Sequence, residues 1–402
     1  MASPKLRFKE FDGNWLAATL ENLAEVERGK FSVRPRNDPR YFGGEMPFVQ
    51  TGDVTGSDVY LKGYSQTLNT DGIRVSKVFP ADTILITIAA NIGDTTITKY
   101  PVACPDSVVA IQPKREKANT IFLKNIIDLQ KDNLDSQATQ NAQKNINLQV
   151  LKPLELIVPS KEEQTKIASF LSSVDEKISQ LTQKHELLSQ YKQGMMQKLF
   201  SQQIRFKADD GSEFGECKNY QLKDIADVYD GTHQTPNYVE QGVPFYSVEH
   251  VTANDFSNTK FIAEDVYQSE LKRVSLQKGD ILMTRIGDIG TSRLIDWDVR
   301  ASFYVSLALI KIKHGDNSSF IDQYIKSQNF QRELHERTIH VAFPKKINLG
   351  EIGFCMIQLP CLEEQTKIAN FLSAIDQKIE VVTQQIEQAK QWKKGLLQQM
   401  FV

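Results

Sequence analysis

An internal repeat near half the chain length constrains this sequence most. Residues 159–200 recur as residues 360–401, displaced by 201 positions without a gap, and 22 of the 42 paired residues are identical. A repeat of this period indicates a molecule of two related halves. We therefore expect each half of the molecule to perform the same kind of function.

Both copies of the repeat are predicted to be long helices. Each begins with a proline and an acidic run, which suit the first turn of a helix and its positive end. Alternate steps of four and three residues select eight apolar residues of ten in the first copy and nine of ten in the second, which is the spacing of a coiled coil. Matching seams favour packing of the two helices on each other over packing of each on its own domain. The seam positions are Ile167, Leu171, Val174, Ile178, Leu181, His185, Leu188, Lys192, Met195 and Leu199, and Ile368, Leu372, Ile375, Ile379, Val382, Ile386, Ala389, Lys393, Leu396 and Met400.

The identities lie mostly outside this seam, which holds only four of the 22. An outer face that is repeated twice is expected if the same partner protein docks on each half. Random drift after a recent duplication is the alternative. We predict a partner-binding face that contains Glu163, Gln164, Phe170, Glu364, Gln365 and Phe371.

The segments before the helices are predicted to be two globular domains. They are rich in short runs of Val, Ile, Thr and Phe with Gly, Pro, Asn and Asp between them, the pattern of short strands joined by loops. Short landmarks recur in both, such as residues 6–9 in 204–207 and residues 144–148 in 345–349. The predicted order is a domain at 1–158, a helix at 159–200, a domain at 201–359 and a helix at 360–402. Much of the domain sequence has drifted, which suggests two different ligands or two versions of one.

Composition and missing motifs argue against catalysis. An apolar run of 18 residues, a secretory leader, a CxxC pair, an HExxH motif and a phosphate-binding GxxxxGK[ST] loop are all absent from the sequence, so we expect a cytoplasmic chain without metal or cofactor. Asp106 with Asp175, Glu176 and Lys177 could be combined into a metal site. Because Asp175 lies on the predicted helix and recurs as Asp376, surface salt bridging is the better interpretation. We expect no catalytic residue.

The doubled helix opening resembles that of a known family. The motif EEQTKIAxFLSxxD occurs at 162–175 and at 363–376, each helix has a glycine near its end, and KxINL precedes each helix. Together with two variable domains that alternate with the helices, these residues resemble the specificity subunit of type I restriction–modification enzymes. The resemblance covers the whole chain.

The resemblance implies both the fold and the function. The fold would be α+β, with two mixed α/β target-recognition domains joined by two long antiparallel coiled-coil helices in pseudo-two-fold symmetry. Each domain would read one half of a split site in double-stranded DNA, and the helices would set the spacing and recruit two modification subunits. The implied partners use S-adenosylmethionine to methylate adenine, and a restriction subunit adds ATP- and Mg-dependent translocation and cleavage.

Candidate DNA contacts follow from residue chemistry. Guanine is read by Arg or Lys and adenine by Asn or Gln, and phosphates attract exposed cations. Lys30, Arg34, Arg36 and Arg40 form a candidate phosphate-contacting loop, although a solvated loop explains them about as well. Candidate base contacts are Gln50, Thr51, Asn91, Gln140, Asn141, Gln143 and Lys144 in the first domain, and Thr232, His233, Gln234, Ser247, Glu249, Arg285, Asp288, Lys345 and Lys346 in the second.

A second hypothesis remains open at the level of sequence. The formal net charge of the chain is only -2, so no global basic field indicates nucleic acid. A scaffold protein whose helices form an assembly hub and whose domains bind other ligands would have the same pattern.

Overall fold

The computed structural model describes residues 3–89, 91–138, 145–313 and 315–402. It forms two compact units, Met1–Gln183 with Gln384–Val402, and Lys184–Thr383. Each unit contains one globular domain, the first half of one long helix and the second half of the other. No helix in the described ranges is long and apolar enough to cross a membrane.

The first domain alternates short strands and short helices and ends in a helix of 40 residues. A 3₁₀ turn at Pro39–Tyr41 precedes β3. The elements are β1 (Leu16–Thr19), α1 (Leu20–Leu23), β2 (Ala24–Arg28), β3 (Phe42–Phe48), α2 (Thr51–Thr55), β4 (Gln66–Leu68), α3 (Thr70–Arg74), β5 (Val78–Phe79), β6 (Ile84–Thr87), β7 (Thr95–Ile97), β8 (Val102–Ala103), β9 (Val108–Pro113), α4 (Thr120–Asp128), α5 (Lys131–Ala138), α6 (Leu148–Leu151), β10 (Glu155–Val158) and α7 (Lys161–Phe200).

The main sheet of the first domain is antiparallel, with strand order β2-β9-β6-β7. Side chains alternate across a strand. On β6, Ile84 and Ile86 face the core beneath α4 and α7, whereas Leu85 faces a second apolar cluster with Val108. Both faces of this strand are therefore buried, which explains its uninterrupted apolar run. A smaller sheet has the order β4-β3-β8-β5, and β1 pairs with β10 just before the long helix.

The second domain repeats most of this order, with an added strand before β14 and, in the described residues, no counterpart of β5. It contains β11 (Lys218–Gln221), α8 (Leu222–Ile225), β12 (Ala226–Asp230), β13 (Tyr238–Val239), β14 (Val243–Tyr246), α9 (Val248–Ala253), β15 (Lys260–Ile262), α10 (Glu264–Leu271), β16 (Ile281–Ile286), β17 (Asp288–Leu294), β18 (Ser302–Phe303), β19 (Leu307–Ile312), α11 (Ser318–Ile325), α12 (Gln328–Arg337), α13 (Leu349–Phe354), β20 (Met356–Leu359) and α14 (Leu362–Met400).

The main sheet of the second domain matches that of the first, whereas the smaller sheets share three equivalent strands and differ in the fourth. The main sheet has the order β12-β19-β16-β17, a smaller sheet has the order β13-β15-β14-β18, and β11 pairs with β20. The strands that begin at Ile84 and Ile281 thus occupy the same place, one strand in from the last strand of the main sheet. The mixed α/β character predicted for both domains is confirmed.

The predicted helix seam is also confirmed. All twenty seam residues are buried or half-buried. In the first unit the opening of α7 shares a core with Leu396 and Met400 from the end of α14. In the second unit Leu199, at the end of α7, shares a core with Ile368 and Leu372 near the start of α14. The start of each long helix therefore packs beside the end of the other, which is the predicted antiparallel arrangement.

The two lysines of this seam form ion pairs between the two helices. The Lys393 Nζ lies 2.6 Å from the Asp175 carboxylate, and Lys192 Nζ lies 2.7 Å from Asp376. The four residues are two equivalent pairs, 201 positions apart in sequence. Asp175 thus forms the salt bridge that the sequence predicted for it. No cluster of residues suited to a metal ion occurs in the part of the chain that the structure describes.

Candidate nucleic-acid interface and helix openings

The repeated helix openings are buried against their own domains. Glu163 and Glu364 are each 1% exposed, and Gln164 and Gln365 are 1% and 2% exposed. The prediction that these four side chains face outward is therefore wrong. Sequence identity outside the seam reflects a contact within each half of the chain.

An arginine from the start of each domain holds the buried glutamate. Arg7 donates from Nε and Nη2 to the two carboxylate oxygens of Glu163, both at 2.7 Å. Arg205 makes the same bidentate pair with Glu364, at 3.1 and 2.5 Å. Fork-to-fork pairing of this kind is strong and directional. The hydrogen bonds from Arg7 to Glu163 and from Arg205 to Glu364 raise the pKa of each guanidinium.

The neighbouring glutamines bind the domain backbone. Gln164 accepts a hydrogen bond from the Asn119 amide at 3.0 Å and donates to the Pro159 carbonyl at 3.1 Å. Gln365 repeats both contacts, with the Asn317 amide at 2.9 Å and the Pro360 carbonyl at 3.0 Å. Each opening therefore joins the long helix to the start of α4 or α11. The recurring LRFK and IRFK landmarks were the available signal for this contact, because they supply the two arginines.

Aromatic side chains beside these openings remain accessible. Phe170 is half-buried, with its ring centroid 5.8 Å from Phe8 and 6.1 Å from Trp392. Phe371 is also half-buried and packs on Phe206 at 5.6 Å. Trp392 is 54% exposed, and Tyr191, its counterpart on the other helix, is 51% exposed. Sequence analysis missed these two because they are not identical, although both are aromatic at equivalent positions.

In the second domain, the predicted contact residues gather at one edge of the main sheet. This edge is formed by the ends of the strands, where β12 finishes and β16 turns into β17. The Thr232 amide donates to the Phe303 carbonyl, and the Thr232 carbonyl accepts from the Val305 amide, both at 3.0 Å. His233 Nε2 lies 2.7 Å from the Asp230 carboxylate at the end of β12. Gln234 follows, exposed. Thr232 itself is buried, so its side chain does not reach solvent.

Arg285 has a structural role that its sequence position did not reveal. Its Nε donates to the Val305 carbonyl and its Nη1 to the Ile347 carbonyl, both at 3.0 Å. The side chain is buried, and this burial lowers the pKa of its guanidinium. The assignment of Arg285 as a direct base contact is therefore corrected, because its donors hold two backbone segments together.

Lys345 and Lys346 project from the segment that Arg285 holds. The Gly287 amide donates to the Lys345 carbonyl at 2.8 Å, and Lys346 forms a bridge with Ile286. Both lysines are exposed. Asp288 lies at the same turn between β16 and β17, where its carboxylate accepts from the Thr284 hydroxyl at 2.9 Å.

Ser247 and Glu249 lie at the start of α9, which packs against β16 and β17. The Ser247 hydroxyl donates to the Glu249 carboxylate at 3.0 Å, and the Ser247 amide donates to His250 Nδ1 at 2.9 Å. These bonds cap the helix. Both residues stay candidate contacts, on a neighbouring element.

In the first domain, the basic loop after β2 lies at the equivalent edge. Arg36 pairs with Asp106 at 3.0 Å and Arg40 with Asp38 at 2.6 Å. Hydrogen bonds from Arg40 lower the pKa of the Asp38 carboxyl. Arg34 donates to the Val33 carbonyl at 2.8 Å, and Lys30 is exposed. The loop is thus a solvated cationic surface with part of its charge already paired.

Gln50, Thr51 and Asn91 gather around α2. Gln50 caps this helix and donates to Gln66 at 2.9 Å. Thr51 is its first residue, and Asn91 donates to Thr55 near its end at 3.4 Å. Asn145 bridges to Ala89 as the chain returns towards α6. Gln140, Asn141, Gln143 and Lys144, which precede Asn145, lie outside the described residues.

A close backbone approach shapes this edge in both domains. A Cβ atom on Gly29 would lie 2.3 Å from the Pro105 carbonyl oxygen, and one on Gly231 would lie 2.1 Å from that of Phe303. Only glycine therefore allows the chain to pass here. The two glycines begin the segments that carry Lys30 and Thr232, so each domain presents its first candidate loop in the same way.

Comparison with known proteins gives a consistent result. The family model described as "Type I restriction modification DNA specificity domain" matches residues 13–190 and 215–391. The chain is 25% identical over 390 residues to the type I restriction enzyme MjaVIII specificity subunit of Methanocaldococcus jannaschii, covering 89% of this chain and 88% of that protein. It is 20% identical over 400 residues to the EcoBI specificity subunit of Escherichia coli, covering 94% and 82%.

Solved structures show the same fold. The crystal structure of a type I restriction–modification S subunit from M. genitalium superposes with a TM-score of 0.66 at 19% identity, covering 100% of this chain and 99% of that one. A chain from a study of complex assembly and conformational transition of the type I R-M system superposes with a TM-score of 0.57 at 14% identity, covering 97% and 98%.

Proposed function

Because the chain belongs to the type I restriction–modification DNA specificity family, we propose that each of its two domains reads one half of a bipartite site in double-stranded DNA. The long helices set the separation of the half-sites. In this role the chain supplies recognition and no chemistry.

The observation that carries the proposal is the repeated edge of the main sheet. In each domain three segments meet there: the loop after the close-approach glycine, the turn after β6 or β16, and the chain just before α6 or α13. These segments carry polar and cationic side chains of the kinds that contact bases and phosphates. A local surface of this kind is compatible with a near-neutral chain, since only the contact face needs to be basic.

The helix pair supports binding of modification subunits. Phe170 with Trp392, and the equivalent Phe371 and Tyr191, are accessible aromatic residues, which are enriched in protein–protein interfaces. Two equivalent sites imply two copies of the same partner. We propose that S-adenosylmethionine, ATP and Mg are used by modification and restriction subunits, and that the complex acts in the cytoplasm, where chromosomal DNA is found.

The test of DNA recognition uses the full chain co-expressed with the modification subunit of its own system. Mapping methylated adenines across the host genome should give one interrupted motif. Duplexes with that motif should bind with a steep salt dependence, and Lys345→Ala and Lys346→Ala should each reduce the salt slope by about one.

Lys223→Ala is the matched control, because Lys223 is an exposed lysine in α8, at the opposite end of β12. It should leave the slope unchanged. Binding without salt dependence, or methylation without any motif, would argue for the scaffold hypothesis instead.

The partner surface has a separate test. The double variant Trp392→Ala with Phe170→Ala should reduce co-purification of the modification subunit to about one copy per chain, because the equivalent site at Tyr191 remains. Adding Tyr191→Ala and Phe371→Ala should abolish it. Two bound copies in the four-fold variant would exclude these aromatics as the docking site.

A further inference from the structure

The loop between α12 and α13 exposes two large apolar side chains almost completely. Phe343 is 104% exposed and Val341 is 97% exposed, whereas the other exposed large hydrophobic residues in the described ranges lie between 36% and 68%. Neither side chain contributes to any core cluster of the second domain. Apolar groups held this far into solvent indicate a binding surface rather than a packing role.

The base of this loop is held firmly although its tip is exposed. The Ile339 amide donates to the Lys346 carbonyl at 2.8 Å, and the Gly287 amide donates to the Lys345 carbonyl at 2.8 Å. Arg285 clamps the following residue through the Ile347 carbonyl at 3.0 Å, and Ile347 is fully buried. The loop therefore presents its apolar tip from a fixed base, on the same edge as the candidate DNA contacts.

The charges around the tip favour a polyanionic occupant. Lys345 and Lys346 are exposed, and no carboxylate lies within ion-pair distance of either among the described residues. The nearby Asp230 carboxylate is already paired with Arg273 and His233. Asp288 accepts a hydrogen bond from Thr284. An apolar tip beside two unpaired cations matches duplex DNA, in which phosphates flank stacked bases.

We propose that Phe343 is an apolar wedge that enters the DNA groove at the second half-site and stacks on a base, while Lys345 and Lys346 contact the flanking phosphates. This inference rests on the proposed function. Apolar side chains that insert between base steps partly unstack them and kink the duplex. The energy gained by covering Phe343 offsets part of that unstacking.

The two domains differ in sequence at this loop, so the proposed wedge belongs to the second domain alone. Residues 340–344 read His-Val-Ala-Phe-Pro, whereas the equivalent residues 139–143 read Thr-Gln-Asn-Ala-Gln. The first domain offers amide side chains suited to reading adenine and has no aromatic residue in this segment. Unstacking should therefore occur in the half-site that the second domain reads and not in the other.

The test uses the full chain with its modification subunit, and duplexes selected by that complex from a random pool. Permanganate oxidises unstacked thymines, so a series of selected duplexes with thymine at each step of each half-site locates any wedge. A methyltransferase flips its target adenine out of the stack, so the thymine opposite the methylated adenine reacts in each half-site. The parent should give one additional reactive step, confined to one half-site. Phe343→Ala should abolish this reactivity and weaken binding by about tenfold to a hundredfold, the range expected for loss of one base–aromatic stack. Phe343→Trp should retain both.

Phe354→Ala is the control for loss of an exposed aromatic residue, since Phe354 is 39% exposed and lies in α13 outside the loop. It should leave reactivity and affinity as in the parent. Because Phe343 has no core contact, Phe343→Ala should melt with the parent, so a folding defect cannot imitate the result.

Four outcomes overturn the wedge. Parental complexes without the additional reactive thymine, or equal affinity of Phe343→Ala and parent, would remove it while leaving the proposed function intact. Normal DNA binding by Phe343→Ala with reduced co-purification of the modification subunit would make the tip a protein contact. Failure of the parent to select any duplex would overturn the proposed function and the wedge together.

Discussion

Replacing Arg205 with methionine would leave the Glu364 carboxylate buried without its ionic partner. Glu364 is 1% exposed and receives two hydrogen bonds from Arg205. Breaking one side of a buried pair costs about 3–5 kcal/mol, because the remaining charge stays desolvated. Arg205 is partly exposed, with 23% of its side-chain surface accessible. Solvent therefore weakens the pair, and we expect about 3 kcal/mol.

The first half of the chain provides an internal comparison. Glu163 has a further donor, the Trp15 indole, at 3.3 Å. Cys217 occupies the position equivalent to Trp15 and offers no such bond. A long hydrogen bond to a carboxylate should retain about 1 kcal/mol. Arg7→Met should therefore cost less than Arg205→Met, about 2 kcal/mol.

The measurement is urea denaturation of the full chain combined with hydrogen exchange of peptides from the two helix openings. Arg205→Met should accelerate exchange at 362–372, and Arg7→Met at 161–171, each only in its own half. Glu364→Gln combined with Arg205→Met should recover at least about 1 kcal/mol, because a neutral amide is cheaper to bury than a carboxylate.

Glu10→Gln is the control, because it breaks an exposed pair with Lys166, at 3.3 Å, and such pairs are worth about 0–1 kcal/mol. The reasoning would be refuted if Arg205→Met cost no more than Glu10→Gln, or if the double variant were no more stable than Arg205→Met alone.

Three further predictions concern other parts of the molecule. Ile178→Asp should destabilise the helix seam by several kcal/mol by placing a charge among apolar side chains, whereas Glu176→Asp, at an exposed position of the same helix, should not; parental melting of the first variant would contradict the seam. Burial raises the pKa of Cys104 and Cys355 to about 12, so at pH 8 both should resist iodoacetamide in the native chain and react after unfolding, while exposed Cys361 reacts at once. A 1–200 fragment should form a homodimer, because Met195, Leu199 and Phe200 can fill the places of Leu396, Met400 and Phe401. With the modification subunit, this homodimer should methylate a symmetric interrupted site. A monomer in sedimentation, or a methylated motif that keeps the original second half-site, would contradict this.

The distribution of identities in the repeat shows where reasoning from sequence reached its limit. Heptad spacing separated seam from non-seam residues correctly, because it depends on helix geometry alone. It could not separate solvent from a neighbouring domain as the environment of Glu163 and Glu364. That distinction depends on where Arg7 and Arg205 lie, about 160 residues away along the chain, and only the folded domain brings them together.

The sequence by itself determined the duplicated architecture, the helix seam with its two polar positions, and the family. These properties follow from periodicity and from local motifs, which the chain carries without reference to distant residues. Tertiary structure alone decided which candidate side chains reach solvent. It buries Arg285 as a clamp between two backbone segments and leaves Phe343 fully exposed, although cations usually lie outside a fold and aromatic residues inside. Burial depends on long-range packing around the edge of the main sheet, and no local pattern in the chain encodes it.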